Sequence, residues 1–117
     1  MKTICIKTKL KKESLGEVRN WFQTLKNRGD EVLQSLENED VVVESAFLDK
    51  QGDDYYLIYY MKAKDINRAY EIFGQSTLDI DNYYKKKWKE YCEGRVVLEE
   101  LLDLDRFESA HPVEFNE

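Results

Sequence analysis

The first candidate for chemistry is Glu44, an acidic residue within an otherwise apolar segment over residues 41–48. If Leu48 lies opposite Tyr55 in a hairpin, Glu44 lies opposite Tyr59. A carboxylate beside a phenol in an enclosed site could act as a base or accept a hydrogen bond from a ligand. The alternative is a structural carboxylate at the end of a sheet, held by a hydrogen bond or an ion pair. A shift of one residue in register would send the pair to different faces.

Aromatic residues supply the other candidates. Eight tyrosines are many for 117 residues, and tyrosine suits both interfaces and half-polar pockets. Tyr84 and Trp88 lie one turn apart on a predicted helix, where they could wall a pocket or simply fill the core. We therefore name Glu44, Tyr59, Tyr84 and Trp88 as candidate ligand-binding residues and assign no catalytic residue.

Two other charged features have simpler explanations. Glu100 would share a strand face with Leu98 and Leu102, so it either lines the same cavity or, as we expect, is turned outward by a β-bulge. A run of lysines falls on the outer side of the helix that carries Trp88. We expect this run to form a solvated surface rather than an anion site. Its members are Lys85, Lys86, Lys87 and Lys89.

Thiol and metal chemistry are not indicated. Cys5 and Cys92 belong to no C-x-x-C motif, and the only histidine, His111, lies near the C-terminus. A catalytic thiolate needs an activating base, and a zinc site needs clustered ligands. We therefore expect two free thiols, no metal and no cofactor.

Charge and hydropathy narrow the class of protein. The net charge of −6 disfavours nucleic acids and anionic membranes as partners, because both are bound mainly through Lys and Arg. No apolar run approaches the roughly 20 residues that span a bilayer, and the N-terminus has no signal-peptide pattern. We expect a cytoplasmic protein with one domain over residues 1–107 and a C-terminal tail over residues 108–117, which holds the only proline, Pro112.

The pattern along the chain predicts a strand over residues 3–10 and a helical stripe from Leu15 to Leu36. Ser14 and Glu17 have the spacing of a capping box at the start of that helix. Gly29 lies on the stripe. It marks either a break near residues 27–30 or a close approach of the helix to the sheet.

The second half predicts a hairpin, two helices and a last strand. Residues 41–48 and 55–61 form the hairpin around a turn over residues 49–54. Asp65 caps a helix that Gly74 ends, and Asp81 caps a further helix that Gly94 ends. Residues 95–107 then form a long last strand. This order is the ferredoxin-like β-α-β-β-α-β arrangement with an extra helix, a four-stranded antiparallel sheet of the α+β class.

Residues 55–61, Tyr-Tyr-Leu-Ile-Tyr-Tyr-Met, are apolar or aromatic on both faces of their strand. A strand with one wet face alternates apolar and polar residues. The helices can cover only one face, and the other would leave a large apolar patch exposed. We therefore expect a homodimer joined through the uncovered face of the sheet.

Several segments resemble a small uncharacterised bacterial family whose members are similar to dimeric α+β-barrel proteins. The resemblance is carried by residues 43–48, residues 56–61, and Ile80-Asp81 leading to Trp88 and Glu93-Gly94. It implies two sheets packed face to face in a barrel across a two-fold axis. If the hairpin has the register given above, the Glu44–Tyr59 pair would lie inside that barrel. Some members of that superfamily are cofactor-independent monooxygenases, haem-handling or isomerase-like enzymes. Relatives often carry a histidine one turn before the tryptophan, where this chain has Tyr84.

Three functional hypotheses follow. The first is a homodimer that binds a small molecule in an aromatic cavity, with or without monooxygenase-like or isomerase-like activity. The second is a structural or protein-interaction module whose aromatic face serves only dimerisation. The third, RNA binding, is disfavoured, because the acidic pair Asp53-Asp54 stands where the RNA-recognition motif has a basic residue.

Overall fold

The computed structural model describes residues 1–109 and confirms the predicted α+β arrangement. The elements are β1 (Lys2–Leu10), α1 (Leu15–Asn27), α2 (Gly29–Asn38), β2 (Val41–Gln51), β3 (Asp54–Ala63), α3 (Ile66–Gln75), α4 (Asp79–Tyr91), β4 (Cys92–Val97) and α5 (Arg106–Ser109). His111, Pro112 and most of the predicted tail lie outside the described residues. No helix in the described part of the chain is long and apolar enough to cross a membrane.

The four strands form one antiparallel sheet in the order β2-β3-β1-β4. Buried side chains of this sheet lie on the side where the helices pack, which we call the helix-covered face; examples are Ile6, Leu57 and Met61. The other side, the open face, carries Phe47, Ile58 and their neighbours. Period-two alternation assigns each strand residue to one face or the other.

The helical stripe is broken into two helices at Arg28, as one of the two hypotheses for Gly29 predicted. Arg28 binds the Glu31 carboxylate at 2.7 Å and Asp79 at 3.2 Å, which joins α2 to the start of α4. A side chain at Gly29 would meet nothing within 4 Å. The alternative, a close approach to the sheet at Gly29, is therefore wrong.

One of the three predicted helix caps is correct. Asp65 accepts a hydrogen bond from the Arg68 amide at 3.1 Å. The Ser14 hydroxyl instead donates to the Lys11 carbonyl at 2.5 Å, so the capping box does not form. Asp81 is not a cap, because it is the third residue of α4 and its buried carboxyl group accepts from Ser35 and Ser76.

Two predicted element ends are wrong. Gly74 lies inside α3, which continues to Gln75. Gly94 lies in β4 rather than at a helix end, with a φ of 73°, at the point where the pairing of β1 with β4 shifts register. A glycine is suited to that bulge because other residues are strained at positive φ.

The long last strand is also wrong, because β4 ends at Val97. Val97 lies opposite Ile6, so a strand continuing at that register would run past the start of β1 within a few residues. The chain leaves the sheet instead as a segment over residues 98–109, here called the C-terminal arm. Glu100 is consequently neither in a bulge nor in the cavity, and its carboxylate accepts from the Thr3 hydroxyl at 2.8 Å.

The core lies between the helix-covered face and the helices. Trp21 has no exposed surface and packs with Leu10, Val18, Leu25, Leu57 and Ile80. A second cluster surrounds Met61, Tyr59 and Ala69. These two clusters fix the positions of α1, α3 and α4 over the sheet, and the candidate site lies beside them.

Candidate functional site

Glu44 and Tyr59 form the central pair of the site, although the predicted strand register is wrong. Leu48 lies opposite Leu57, and Glu44 lies opposite Met61. The strands are longer than predicted, and Gln51 pairs with Asp54 across a two-residue loop. The predicted and observed registers differ by an even number of residues, so the side chains of Glu44 and Tyr59 still lie on the same face of the sheet. The Tyr59 hydroxyl donates a hydrogen bond to the Glu44 carboxylate.

A cavity of about 250 Å³ lies between the helix-covered face and helices α2, α3 and α4. Its aromatic lining is Tyr59, Tyr70, Phe73, Tyr84 and Trp88, and its ionisable and hydroxyl lining is Ser35, Glu39, Glu44, Asp81, Lys85, Lys89 and Arg95. All of these lining residues belong to one chain, and the cavity is partly open to solvent. The expectation that Glu44 and Tyr59 line the inside of a two-chain barrel is therefore wrong, because both residues lie on the face that the chain's own helices cover.

The four predicted site residues come together at this cavity. The rings of Tyr84 and Trp88 are stacked, with centroids 6.4 Å apart and an interplanar angle of 15°. The Tyr59 ring meets both edge-on, with centroid distances of 6.5 Å and 6.2 Å. Edge-on and offset contacts of this kind favour one fixed arrangement of the rings. The four residues therefore form one ordered wall with a carboxylate at its edge.

Sequence reasoning missed two further carboxylates, Glu39 and Asp81, which are 7% and 4% exposed. Ser35 joins them: its hydroxyl lies 2.6 Å from a Glu39 oxygen and 2.6 Å from an Asp81 oxygen. Ser76 donates to the second Asp81 oxygen at 2.5 Å. The available signal was the position of Asp81 on the same side of α4 as Tyr84 and Trp88.

Ser35 has one hydroxyl proton and therefore cannot donate to both carboxylates at once. One carboxyl group must supply the second proton. Burial raises the pKa of Glu39 to about 7, a shift that its Ser35 hydrogen bond opposes and the charges of Asp81 and Glu44 increase. Glu39 is thus the group suited to hold that proton near neutral pH, so that its carboxyl group donates to Ser35 and the Ser35 hydroxyl donates to Asp81.

Burial also changes the titration of the Glu44–Tyr59 pair. It raises the pKa of Glu44, although the hydrogen bond from Tyr59 partly offsets that effect. It raises the pKa of Tyr59 even more strongly, so this phenol stays neutral and acts as a donor. The buried hydroxyls of Tyr70 and Tyr84 make no hydrogen bond within the described residues. The cavity thus presents both unused donors and carboxylate acceptors.

Three basic residues border the cavity. The Lys85 ammonium donates to the carbonyls of Gly74 and Ser76, each at 3.2 Å. The Arg95 guanidinium lies 4.8 Å from the centre of the Tyr70 ring, and Lys89 is exposed. The prediction of a solvated lysine surface is confirmed for Lys86 and for Lys89, although Lys89 also borders the cavity, and it is wrong for Lys85, which is half-buried.

The fold and the cavity define a small α+β domain with an aromatic, acid-lined pocket. The chain belongs to the family of unknown function DUF6176, whose model matches residues 1–109. Searches of curated proteins and of solved structures found no match. Within residues 1–109 there is no group of three or more His, Cys, Asp or Glu side chains that could hold a metal ion.

Proposed function

We propose that this protein binds a small organic molecule in the cavity between its sheet and its helices. The observation that carries the proposal is the cavity itself, about 250 Å³ with aromatic walls and a hydrogen-bonded carboxylate. Binding pockets combine an apolar lining with a few placed polar groups. An apolar cavity of about 150 Å³ holds benzene, so the expected ligand is a molecule somewhat larger than one aromatic ring.

The candidate residues have separate roles in this proposal. Tyr84 and Trp88 contact the apolar body of the ligand. Glu44 accepts a hydrogen bond from a donor on the ligand, and Tyr59 fixes the orientation of that carboxylate. A carboxylate selects a ligand donor only when the carboxylate is itself held in one orientation, which is the role of the Tyr59 hydroxyl.

The test is a screen of small aromatic molecules by ligand-observed NMR, followed by tryptophan fluorescence, because Trp88 lies on the cavity wall. Hits should lose affinity by about tenfold in Glu44→Gln, the loss of one hydrogen bond to a charged group. Glu37→Gln, at an exposed position on α2, is the matched control and should not change affinity. A screen whose hits bind Glu44→Gln as well as the wild type would remove Glu44 from the site.

A proton-transfer reaction of the isomerase type is the second candidate, favoured by the raised pKa of Glu44. A carboxylate with a raised pKa is a stronger base than an ordinary one. Monooxygenase-like chemistry, which the sequence resemblance also implies, has no residue assigned to it here. Exchange of a ligand C–H hydrogen for deuterium in heavy water, lost in Glu44→Gln, would distinguish an enzyme from a binding protein.

We also propose that the protein is a homodimer joined through the open face. Large apolar side chains are exposed there: Val43 (39%), Phe47 (58%), Val96 (59%) and Leu98 (38%). The C-terminal arm adds Leu101 (86%), Leu102 (75%), Leu104 (81%) and Phe107 (83%) beside that face. An exposed apolar surface of this extent is typical of an interaction site.

The occupant of the open face is inferred to be a second copy of the chain, because the apolar face and the apolar arm are neighbours. Thr3 and Lys62 of the open face bind Glu100 and Asp105 of the arm. A two-fold axis would place the arm of each copy against the face of the other. Light scattering should report a dimer at tens of micromolar, and a monomer at that concentration would contradict the proposal.

The structural or interaction module remains the alternative, with the open face as its only functional surface. It predicts that no small molecule binds and that cavity variants alter stability alone. A cytoplasmic location is part of the main proposal, supported by the free thiols of Cys5 and Cys92, since disulfides are rare in that compartment.

A further inference from the structure

The buried acidic groups of the cavity lack a cationic partner. Glu39 and Asp81 are buried, and Glu44 is half-buried between them and Tyr59. Among residues 1–109 the ion pairs of the protein involve other carboxylates. Buried charges are normally paired, because an isolated ion loses its hydration without compensation. Within residues 1–109 none of these three carboxyl groups forms an ion pair, although three basic side chains border the cavity.

The protein's own groups compensate this charge only in part. Ser35 and Ser76 supply neutral hydroxyl donors to Asp81, and Tyr59 supplies one to Glu44. The three rim cations are otherwise placed: Lys85 is bonded to backbone carbonyls, Arg95 stacks on Tyr70, and Lys89 is exposed. A proton on Glu39 removes one negative charge, and the carboxyl groups of Glu44 and Asp81 have only hydroxyl donors as partners among residues 1–109.

The rest of the cavity wall also suits a cation. The stacked pair Tyr84 and Trp88 and the edge-on ring of Tyr59 border the same space. Aromatic faces attract cations, and the attraction is stronger away from water. The buried Tyr70 hydroxyl makes no hydrogen bond to residues 1–109 and could bind a polar group beside the charged one. An organic cation fits these aromatic walls best, because its apolar body can contact the rings while its nitrogen meets the carboxyl groups.

We propose that the ligand of this cavity is a small organic cation, an ammonium-type nitrogen on an aromatic or aliphatic body. This inference rests on the proposed function and specifies its ligand class. The nitrogen donates to Glu44 and Glu39, with Asp81 held behind Glu39 by Ser35. The apolar body lies against Tyr84 and Trp88. The same side chains would repel a carboxylate in that position.

Binding should release a proton, because the ammonium replaces the proton on Glu39. The groups that face Glu39 are Ser35 of its own helix, Glu44 of β2, and Asp81 of α4, with Lys85, Lys89 and Arg95 at the rim. Affinity for a cation should therefore rise with pH while Glu39 loses its proton, and level off once it is ionised.

The experiment is calorimetric titration of the full chain with three probes of similar shape: benzylamine, which is cationic, benzyl alcohol, which is neutral, and benzoate. We expect benzylamine to bind at least about tenfold more tightly than either of the others at about pH 8, and less tightly at about pH 6. Glu39→Gln and Glu44→Gln should each reduce the preference for the amine. Both variants should weaken benzylamine more than benzyl alcohol, which offers only a neutral donor to Glu44, and Glu37→Gln should change nothing.

The possible failures are distinguishable. If benzyl alcohol binds as tightly as benzylamine, or benzoate binds most tightly, the cation inference is overturned while the pocket proposal stands. If none of the three probes binds at millimolar concentration, and the folded variants differ only in stability, both proposals are overturned. Folding of each variant is checked by circular dichroism before titration.

Discussion

Tyrosine side chains have different surroundings on the two faces of the sheet. Tyr59 and Tyr60 are neighbours on β3, yet Tyr59 is buried under the helices with its hydroxyl on Glu44, whereas Tyr60 is half-buried on the open face. Residue type alone does not distinguish them. The layer that packs over each face decides whether a tyrosine becomes part of a cavity or part of a surface.

Charge is also handled differently on the two faces. On the open face Lys7 pairs with Asp49 at 3.3 Å, and the buried Lys62 pairs with Asp105 of the arm. On the helix-covered face Glu39, Glu44 and Asp81 have only hydroxyl partners. Lys7 and Lys62 of the open face thus form ion pairs within the described residues, whereas the three carboxyl groups of the cavity do not. This contrast suggests where a partner chain and where a charged ligand would bind.

The largest expected effect is the difference in the free energy of unfolding between Leu57→Ala and Ile58→Ala. Leu57 is 1% exposed on the helix-covered face, whereas Ile58 is half-buried on the open face. Leu57→Ala should lower the free energy of unfolding by about 2–5 kcal/mol, the range for buried leucines. Ile58→Ala should cost less, and its cost should depend on protein concentration if a second copy covers it. Urea unfolding at two concentrations measures both, and equal costs would remove the proposed contrast.

Glu39→Gln should change the pH dependence of stability. Because the pKa of Glu39 is raised to about 7 from 4.5 when the protein folds, the folded state binds the proton more tightly. Wild-type stability should then fall as pH rises between those two values and stay lower above them. The variant should be more stable than the wild type at about pH 8, by roughly 1–3 kcal/mol, and similar at about pH 4. Thermal unfolding between about pH 4 and pH 8 measures this difference in stability. Glu37→Gln is the control and should follow the wild type.

Phe47→Asp should weaken the proposed dimer with little effect on the fold. Phe47 is 58% exposed on the open face, and a carboxylate there would have to lose its hydration at the interface. We expect the dimer to dissociate at least about tenfold more readily, as measured by analytical ultracentrifugation. Leu33→Asp, at a 63% exposed position on α2, is the matched control. Equal dissociation in both variants would move the interface away from the open face.

The smallest expected effect is a difference in the rate at which the two thiols, Cys5 and Cys92, are chemically labelled. Burial raises the pKa of Cys92 to about 12, and its pairing with Leu10 places it on the helix-covered face. Cys5 pairs with Tyr60 on the open face. At about pH 8 iodoacetamide should modify Cys5 first, because the thiolate is the reactive form. Mass spectrometry of peptides reads the order, and faster labelling of Cys92 would contradict the assignment of faces.

The sequence predicted the architecture well, because periodicity and turn residues are local signals. The strand over residues 3–10 and the cap at Asp65 needed no tertiary information, whereas the break near residues 27–30 was one of two alternatives that only the structure settled. The errors occurred where local signals were ambiguous. Ser14 and Asp81 have the side chains of helix caps, but their partners come from Lys11, Ser35 and Ser76. The alternating pattern of residues 95–107 indicates a strand, but β1 is too short to pair with all of it.

The sequence by itself determined which residues share a face, since alternation along a strand is a property of the backbone. That is why Glu44 and Tyr59 could be paired in spite of a wrong register. Only the tertiary structure decided which face the helices cover, and hence that the pair lines a cavity within one chain. It also brought Glu39 and Asp81, 42 positions apart in sequence, to a single hydroxyl of Ser35. Contacts of that kind depend on how α2 and α4 pack, and no local pattern encodes them.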